Sequence, residues 1–493
     1  MSLATMSQIR KLLLTAVLCG FTAASLGAAP ALASHSQSVY FEGSTTLLSA
    51  KTRPKAIAQM QALGVKALRI ELNWYDVAPI PTSATKPAFD MTNPGNYAWG
   101  EYDSLIAEAQ RLHWKVLLTV TSPVPRWATS NKKAPYVTKP DPKDFEEFMQ
   151  AVARHYGPTG TYGATVSLFS IWNEPNHPAF LQPQWNTNGT PASPRIYRAL
   201  YQAGYAGLKA GGIASPKVLI GETAPTGYEK VNYKREKSKA LLHDVAPLLF
   251  LRETLCLNAK YKKSGSCTPL TAAGYAHHAY STAAGPLYKP KEKDDVTIGV
   301  LSRLSSALSK AFAAGGVTSN LPIYLTEFGV QSKPNRFLGV SVAQQAEFDA
   351  ISEKIAWSNS RVAAFSQYLL VDDPLGGKPG SSVNGGTIGF QTGLEYLGGK
   401  PKPLYSAWPV PLVVSKAGHG YSLWGLIRPA SGATKLTVLV QPSGSKKYKT
   451  LKTVTTNSLG YWTLSSATKG THWRVRWVSP TGVKYEGPGV EAH

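Results

Sequence analysis

A short apolar stretch that ends in a carboxylate constrains this chain more than any other feature. Residues 166–172 are apolar apart from two serines, which favours a strand buried on both faces, as in a parallel sheet with helices outside. The stretch stops at Asn173, Glu174 and Pro175, because proline lacks the N–H that a sheet ladder needs. An ionised Glu174 there is unfavourable unless it faces a polar cleft. The sequence therefore predicts a site at the carboxyl edge of the sheet; the alternative is a strand-end glutamate in water.

A second stretch, residues 321–329, repeats this design. Ile323, Leu325 and Glu327 lie on one parity of a short apolar strand, so Glu327 also stands at a strand end. Glycoside hydrolysis with retention uses two carboxyl groups about 5–5.5 Å apart, one as acid and one as nucleophile. We therefore predict that Glu174 and Glu327 are neighbours across one pocket.

The two motifs resemble those of the clan A glycoside hydrolases. Ile-Trp-Asn-Glu-Pro-Asn at 171–176 is similar to the acid/base motif after strand four of that clan, and Tyr-Leu-Thr-Glu-Phe-Gly at 324–329 to its nucleophile motif after strand seven. The resemblance is greatest to family five of the cellulases and family thirty-nine of the β-xylosidases and α-L-iduronidases. It covers about residues 38–405 and implies an α/β fold, the (β/α)8 TIM barrel, with Glu174 as acid/base and Glu327 as nucleophile.

The order of apolar and turn segments agrees with eight strand and helix repeats over residues 38–410. The predicted strands are 38–41, 67–72, 115–120, 166–172, 217–220, 272–276, 321–327 and 363–370, and the predicted helices are 54–63, 99–112, 142–156, 193–210, 295–314 and 341–357. Residues 411–493 instead show short alternating stretches between Gly, Ser and Pro clusters, which predicts a small C-terminal β-sandwich. Trp462, Trp473 and Trp477 are there either to fill its core or to bind a polysaccharide.

Several further residues are candidates for substrate binding. Arg69, among apolar neighbours, needs an acidic partner and resembles the strand-two arginine with which the clan keeps its nucleophile ionised; an outward-facing arginine is the alternative. By the same resemblance, Tyr280 would hydrogen-bond the nucleophile, and Asn173 would bind the sugar 2-hydroxyl. For Asn173 and Glu174 to face the same sugar, the strand must twist or bulge at its end. The full set of substrate-binding candidates is Arg69, Trp74, Trp127, Asn173, His278, Tyr280 and Gln367.

The tryptophans in this set have two interpretations. Trp74 follows the second strand and Trp127 follows a Pro-rich loop, so either ring could stack on the apolar face of a sugar. For Trp74, packing in the core is an equally good interpretation. Gln367 lies where many clan members carry a tryptophan under the sugar. Glu222, a third strand-end carboxylate, competes with Glu174 and Glu327 for a catalytic role, but a substrate-contact or supporting role is preferred because no clan motif surrounds it.

The N-terminus predicts export. Arg10 and Lys11 precede an apolar run and then Ala31-Leu-Ala33, the three regions of a secretory signal, with cleavage after Ala33. The run is too short and too interrupted for a membrane span. Cys256 and Cys267 then remain, and two cysteines in a secreted chain favour one disulfide; no zinc pattern accompanies them. We expect an extracellular protein.

The chain is strongly basic, with a formal net charge of +23. This favours partners such as uronic-acid polysaccharides or anionic cell walls, with a basic solubilising surface as the alternative. Nucleic acid fits poorly, because the basic residues are scattered. The lysine-dense segment 229–239 is more typical of a solvated surface than of a binding patch.

Together these features predict a secreted retaining glycosidase that degrades a poly- or oligosaccharide with two glutamates and needs no metal or organic cofactor. The alternatives are a carbohydrate-binding protein that has lost turnover and a transglycosidase, which would use the same residues.

Overall fold

Eight parallel strands form the centre of the protein. The computed structural model describes residues 37–130, 133–374 and 389–493. The strands hydrogen-bond in sequence order, and the barrel closes because β1 pairs with both β2 and β8. They are β1 Ser38–Glu42, β2 Ala67–Asn73, β3 Lys115–Thr121, β4 Val166–Ile171, β5 Val218–Thr223, β6 Gly274–His278, β7 Ile323–Glu327 and β8 Val362–Tyr368. The predicted (β/α)8 fold is confirmed.

Helices alternate with these strands. They are α1 Ser44–Leu48, α2 Arg53–Leu63, α3 Trp74–Val77, α4 Gly100–Arg111, α5 Pro142–Tyr156, α6 Ser193–Ala210, α7 Tyr233–Glu236, α8 Pro247–Thr254, α9 Leu301–Ala313, α10 Val342–Trp357 and α11 Pro403–Ala407. Asp141 caps α5 by accepting from the N–H groups of the first turn, and Ser341 and Gln344 form a capping box on α10. Helix α8 and the short helices α1, α3, α7 and α11 were not predicted, and α9 begins six residues later than expected.

The barrel interior has an apolar layer below a polar one. Alternate residues along each strand share a face, so the residue two positions after an apolar interior residue also points inward. Tyr40 is thus followed by Glu42, Ala67 by Arg69, and Leu117 by Thr119. The apolar layer consists of Tyr40, Ala67, Leu117, Leu168, Leu219, Ala276 and Ala364. The polar layer lies nearer the carboxyl ends of the strands, where parallel barrels place their sites.

The C-terminal part is antiparallel, as predicted for a β-sandwich-like domain. One sheet has the order β13-β10-β9 and the other β12-β11-β14-β15. The strands are β9 Leu412–Ala417, β10 Gly420–Leu426, β11 Lys435–Gln441, β12 Lys449–Thr455, β13 Tyr461–Ser466, β14 His472–Val478 and β15 Lys484–Glu486. Trp462, Trp473 and Trp477 are buried in one apolar cluster, so these three rings pack the core and do not offer a sugar platform.

The antiparallel sheets pack against the barrel helices. Arg428 donates to Glu353 of α10 at 2.8 Å in a buried ion pair. The Trp357 ring lies 5.8 Å from that of Trp424 and 5.9 Å from that of Tyr461. The described residues, from 37 to 493 with the two gaps, fall in one compact unit, and a domain division between residues 410 and 411 stays a prediction.

The disulfide prediction is confirmed. Cys256 and Cys267 are bonded and close a short loop after α8. The predicted signal segment, residues 1–33, lies outside the described residues. Within the described part of the chain, no helix combines the length and the apolar character that a membrane span requires.

Candidate active site

The ends of β4 and β7 bring two carboxylates together. An oxygen of Glu174 and an oxygen of Glu327 lie within 4.8 Å of each other, and His278 contributes a ring nitrogen within the same distance of both. Inverting glycosidases separate their carboxyl groups by about 6.5–9.5 Å to admit a water molecule, whereas retaining enzymes hold them at about 5–5.5 Å. Oxygens this close place both carboxyl groups in one pocket, as predicted for Glu174 and Glu327.

The backbone after β4 turns so that Asn173 and Glu174 both reach the cleft. Trp172 has φ +73° and Glu174 has φ +36°, values that residues with side chains rarely adopt. Neighbouring strands hold this turn: the Asn173 N–H donates to Thr121 Oγ1 at 2.9 Å and the Glu174 N–H to the Glu222 carbonyl at 3.0 Å. The expected departure from strict alternation is therefore a local left-handed turn.

Strand β7 departs from the expected parity. Ile323 and Leu325 pack in the large cluster between barrel and helices, whereas Tyr324 packs with the barrel interior. Simple alternation would send Glu327 outward with Ile323 and Leu325. The β6–β7 register shifts by one residue before the His278–Glu327 pair, and such an irregularity re-aims the next side chain. The predicted common parity of the three residues is thus corrected, and the shift turns Glu327 into the cleft.

Arg69 organises the floor of the site. Its Nη1 contacts Glu42 and lies 3.2 Å from Glu327 Oε2, and its Nη2 donates to Glu222 at 2.6 Å, Asn173 at 2.8 Å and Glu71 at 3.0 Å. The residue is only 1% exposed. A guanidinium suits this position because its donors diverge in one plane. Arg69 is therefore a positioning residue beneath the cleft, which corrects the expectation of direct substrate contact.

Burial raises the pKa of both central carboxyl groups. Burial raises the pKa of Glu174 to about 7; Asp244 and Glu222 add to the shift, and His177 and Arg69 oppose it. Burial also raises the pKa of Glu327, against the opposing effects of His278 and Arg69. Glu174 is thus partly protonated at neutral pH, as a general acid requires.

His278 and Tyr280 both contact the pair. His278 Nδ1 lies 2.9 Å from Glu174 Oε1 and 3.8 Å from Glu327 Oε2, and burial lowers the pKa of the imidazole. The neutral ring can therefore share one proton with Glu174. The Tyr280 hydroxyl donates to Glu327 Oε1 at 2.6 Å, the contact predicted for it. A donor at this distance stabilises the carboxylate form.

Trp74 and Trp127 lie away from the cleft. Trp74 is 0% exposed and stacks on Phe148 with ring centroids 5.1 Å apart. Trp127 packs edge-on against Trp74 at 5.8 Å and is also buried. Neither ring has a free face for a sugar, so both belong to an aromatic core behind β2 and β3. The expectation of substrate contact is corrected to packing.

Gln367 also has a structural role. It is buried, and its Nε2 donates to the carbonyls of Tyr368 at 2.8 Å and Thr392 at 3.0 Å, so it fixes the backbone beyond β8. The part-exposed aromatic surface nearby comes from Tyr368 and Phe390, whose rings lie 5.1 Å apart, with Phe390 6.0 Å from Tyr280. Phe390 was not predicted, because nothing in its local sequence marks it.

Sequence reasoning also missed two carboxylates. Glu42 and Glu71 place oxygens within 4.8 Å of an oxygen of Glu327. Burial is the main cause that raises the pKa of each. Strand alternation could have found both, since Glu42 follows interior Tyr40 and Glu71 follows Arg69 by two positions. Glu222 is buried between Arg69 and the Thr119 hydroxyl, at 2.6 and 2.9 Å.

Two groups of described residues have the spacing to hold a metal ion: Glu174 with His278 and Glu327, and Glu42 with Glu71 and Glu327. Arg69 already places its positive charge against Glu42, Glu71 and Glu327. A cation would have to compete with this buried guanidinium for the same oxygens, which opposes metal binding.

Comparison with known proteins establishes the fold. No family model matches the sequence, and no curated protein matches it. A solved glucosidase from Croceicoccus marinus is similar at a TM-score of 0.51 and 11% identity, over 89% of this chain and 95% of that one. A family 51 α-L-arabinofuranosidase from Bifidobacterium longum is similar at a TM-score of 0.46 and 11% identity, over 88% of this chain and 97% of that one. The similarity to the glucosidase shows a shared fold over nearly the whole length of both chains.

Proposed function

We propose that this protein is a retaining glycoside hydrolase that cleaves O-glycosidic bonds of a poly- or oligosaccharide. The observation that supports it most is the pair of carboxyl groups at the barrel mouth, with oxygens of Glu174 and Glu327 within 4.8 Å. The surroundings suit an acid and a nucleophile, because burial raises the pKa of Glu174 to about 7 and Glu327 receives donors from Arg69 and Tyr280.

In the first step Glu327 attacks the anomeric carbon. The bond from this carbon to the leaving oxygen breaks, and Glu174 gives its proton to that oxygen, so the leaving group departs as a neutral alcohol. The product is a glycosyl ester on Glu327. In the second step the Glu174 carboxylate takes a proton from water, and the water oxygen attacks the anomeric carbon. The ester bond breaks and regenerates the Glu327 carboxylate, and two inversions give net retention.

Three side chains support these steps. Arg69 and Tyr280 stabilise negative charge on Glu327 before the attack and after its release. Asn173 has its Oδ1 held by Arg69 at 2.8 Å, so it offers its Nδ2 donor to a ligand. We assign this donor to the sugar 2-hydroxyl, a hydrogen bond that strengthens at the transition state.

We propose further that the protein acts outside the cell. The support is the N-terminal pattern of a secretory signal together with the disulfide between Cys256 and Cys267. An exported enzyme would meet polysaccharides directly.

Azide rescue tests the two roles separately. With an activated aryl glycoside chosen from a panel, Glu327→Gly should lose activity by about 10³-fold or more, and azide should restore turnover and give a glycosyl azide of inverted configuration. Glu174→Gly should give the azide of retained configuration, because the ester on Glu327 still forms. Glu108→Gly, on the exposed face of α4, is the control for handling and folding. A folded Glu327→Gly protein that azide leaves inactive would contradict the nucleophile assignment.

A further inference from the structure

An open cavity lies beside the segment that follows β5. It has a volume of about 520 Å³ and is lined by Tyr228, His243 and residues 235–239. Volumes of about 300–1,000 Å³ are typical of sites for small ligands. The cavity includes part of the lysine-dense segment that the sequence pattern assigned to solvated surface.

Direct contacts tie this segment to the turn that carries Glu174. Asn176 receives the N–H of residue 224 on its Oδ1 at 2.8 Å and donates from its Nδ2 to the Val245 carbonyl at 2.9 Å, so it holds both ends of the segment. The His177 N–H donates to the Glu174 carbonyl at 2.8 Å, and its Nε2 lies 3.8 Å from Asp244. These contacts place the segment that lines the cavity next to the turn that carries Glu174.

The walls combine an aromatic face with positive charge. The Tyr228 ring stacks on His243 with centroids 4.2 Å apart, and Tyr228 is 50% exposed. Glu236 is held between His243 at 2.8 Å and Arg235 at 3.0 Å. Lys237 and Lys239 are exposed, and neither pairs with a carboxylate among the residues that the structure describes. An aromatic face beside two lysines suits a sugar ring that carries a negative charge.

The position of the acid/base decides which part of a substrate reaches this cavity. In the proposed mechanism Glu174 protonates the leaving oxygen, so the leaving group extends over the Glu174 side. On the opposite side, the cation of Arg69 already contacts the carboxyl groups of Glu42, Glu71 and Glu327, so it is not available to bind an anionic substituent there. The exposed lysines of the cavity therefore make the leaving-group side the better place for an anionic group.

We propose that this cavity is a leaving-group subsite for an anionic saccharide unit, whose carboxylate or sulfate is bound by Lys237 and Lys239 and whose ring packs on Tyr228. The proposal rests on the proposed function, because Glu174 as acid/base gives the cavity its place along the substrate. It also locates the acidic-polysaccharide recognition for which the net charge alone gave no site.

Ligand binding without turnover tests the subsite. The full chain carrying Glu327→Gln is titrated in a calorimeter with three probes: tetragalacturonate for carboxylates, sulfated cellotetraose for sulfates, and neutral cellotetraose. The test variant adds Lys237→Gln and Lys239→Gln. The matched control adds Lys446→Gln and Lys447→Gln, an exposed lysine pair before β12 that loses the same charge.

The cavity variant should bind an anionic probe about 10-fold more weakly, since two exposed ion pairs at about 0.2–1 kcal/mol each correspond to roughly 2- to 30-fold. Affinity for cellotetraose should be unchanged. High salt should reduce the difference in anionic-probe affinity between the cavity variant and the protein that keeps both lysines. The anionic probe that responds identifies the carboxylate or the sulfate as the bound group. Equal weakening by the Lys446 and Lys447 control, or no response from either anionic probe, would overturn the subsite.

Failure of the subsite and failure of the proposed function give different results. If the unsubstituted enzyme hydrolyses glycosides but the cavity lysines do not affect anion binding, only the subsite is refuted. If anion binding depends on those lysines but no glycoside is turned over, the glycosidase proposal fails and the cavity remains an anion site.

Discussion

Replacing Arg69 with Met tests whether one guanidinium holds the floor of the site together. The substitution keeps the approximate length of the side chain and removes the cation that contacts Glu42, Glu222 and Glu327. Removing one partner of a buried ion pair typically destabilises a protein by about 3–5 kcal/mol, because a charge remains buried without compensation. Burial already raises the pKa of Glu42 and Glu327, and loss of Arg69 should raise both further.

The size of the effect on melting follows from the size of the unit. At about 2.1 cal/mol/K per residue, unfolding of the described residues 37–130, 133–374 and 389–493 carries an entropy of about 1 kcal/mol/K. A loss of about 3–5 kcal/mol therefore lowers Tm by roughly 3–5 °C at pH 7.5. Activity should fall with it, since a protonated Glu327 does not attack.

The pH dependence provides the sharper check. A carboxyl group whose folded pKa lies above its unfolded value stabilises the protein below the unfolded pKa and loses that contribution as pH rises through the folded pKa. The Arg69→Met variant raises these folded pKa values, so its deficit in Tm should be largest at pH 7.5 and shrink towards pH 5. Circular dichroism melts at both pH values measure this. Arg111→Met, from an exposed pair with Glu108, is the control and should change Tm by less than about 1 °C.

A deficit that does not change between pH 5 and pH 7.5, or an Arg69→Met protein as stable as the parent at pH 7.5, would show that the buried carboxylates do not depend on the guanidinium. The charge-compensation argument would then be refuted.

Three other predictions concern single side chains. With the pKa of Glu174 raised to about 7, kcat/KM should fall as pH rises above about 7, and Glu174→Gln should remove this alkaline limb and lower kcat/KM by about 10²–10⁴-fold for substrates with poor leaving groups. Tyr280→Phe removes the 2.6 Å donor to Glu327 and should move the acidic limb of the pH–rate profile to higher pH, because the carboxylate form loses a hydrogen bond. Trp74→Ala should destabilise the protein by about 3–5 kcal/mol in a denaturant titration and leave KM unchanged, because its ring packs on Phe148; a raised KM with unchanged stability would contradict the packing role.

The barrel was predictable from sequence because its strands can be recognised from short apolar runs in the local sequence. The apolar run before Asn173 ends at a residue type that a buried strand does not tolerate, and the same signal marks Glu327. Strand positions follow from such runs, as for β3, predicted at 115–120 and found at Lys115–Thr121. Helix α8 was missed although it begins with Pro247 and continues with four apolar residues, because it directly follows a polar, lysine-dense segment.

The positions of the site side chains were less predictable. They depend on the register between neighbouring strands and on the direction in which the chain turns at the end of each strand. The shift that re-aims Glu327 is a property of the β6–β7 pairing and not of β7 alone. Trp74 is a residue type that can form a sugar platform, and only its packing against Phe148 in the folded protein shows that it belongs to the core. Arg69 was singled out as an arginine needing an acid, but Glu42 and Glu222 reach it from strands that meet β2 only in the folded barrel.

The contact between α10 and the antiparallel sheets limits how the chain can be divided. Trp357 and Glu353 of α10 are covered by Trp424, Tyr461 and Arg428 from beyond residue 410. Cutting the chain after the barrel would leave an aromatic surface and a buried carboxylate open to water. The C-terminal sheets therefore stabilise the barrel by covering α10. We expect the whole chain to melt in one cooperative transition, and we expect a fragment without these sheets to aggregate.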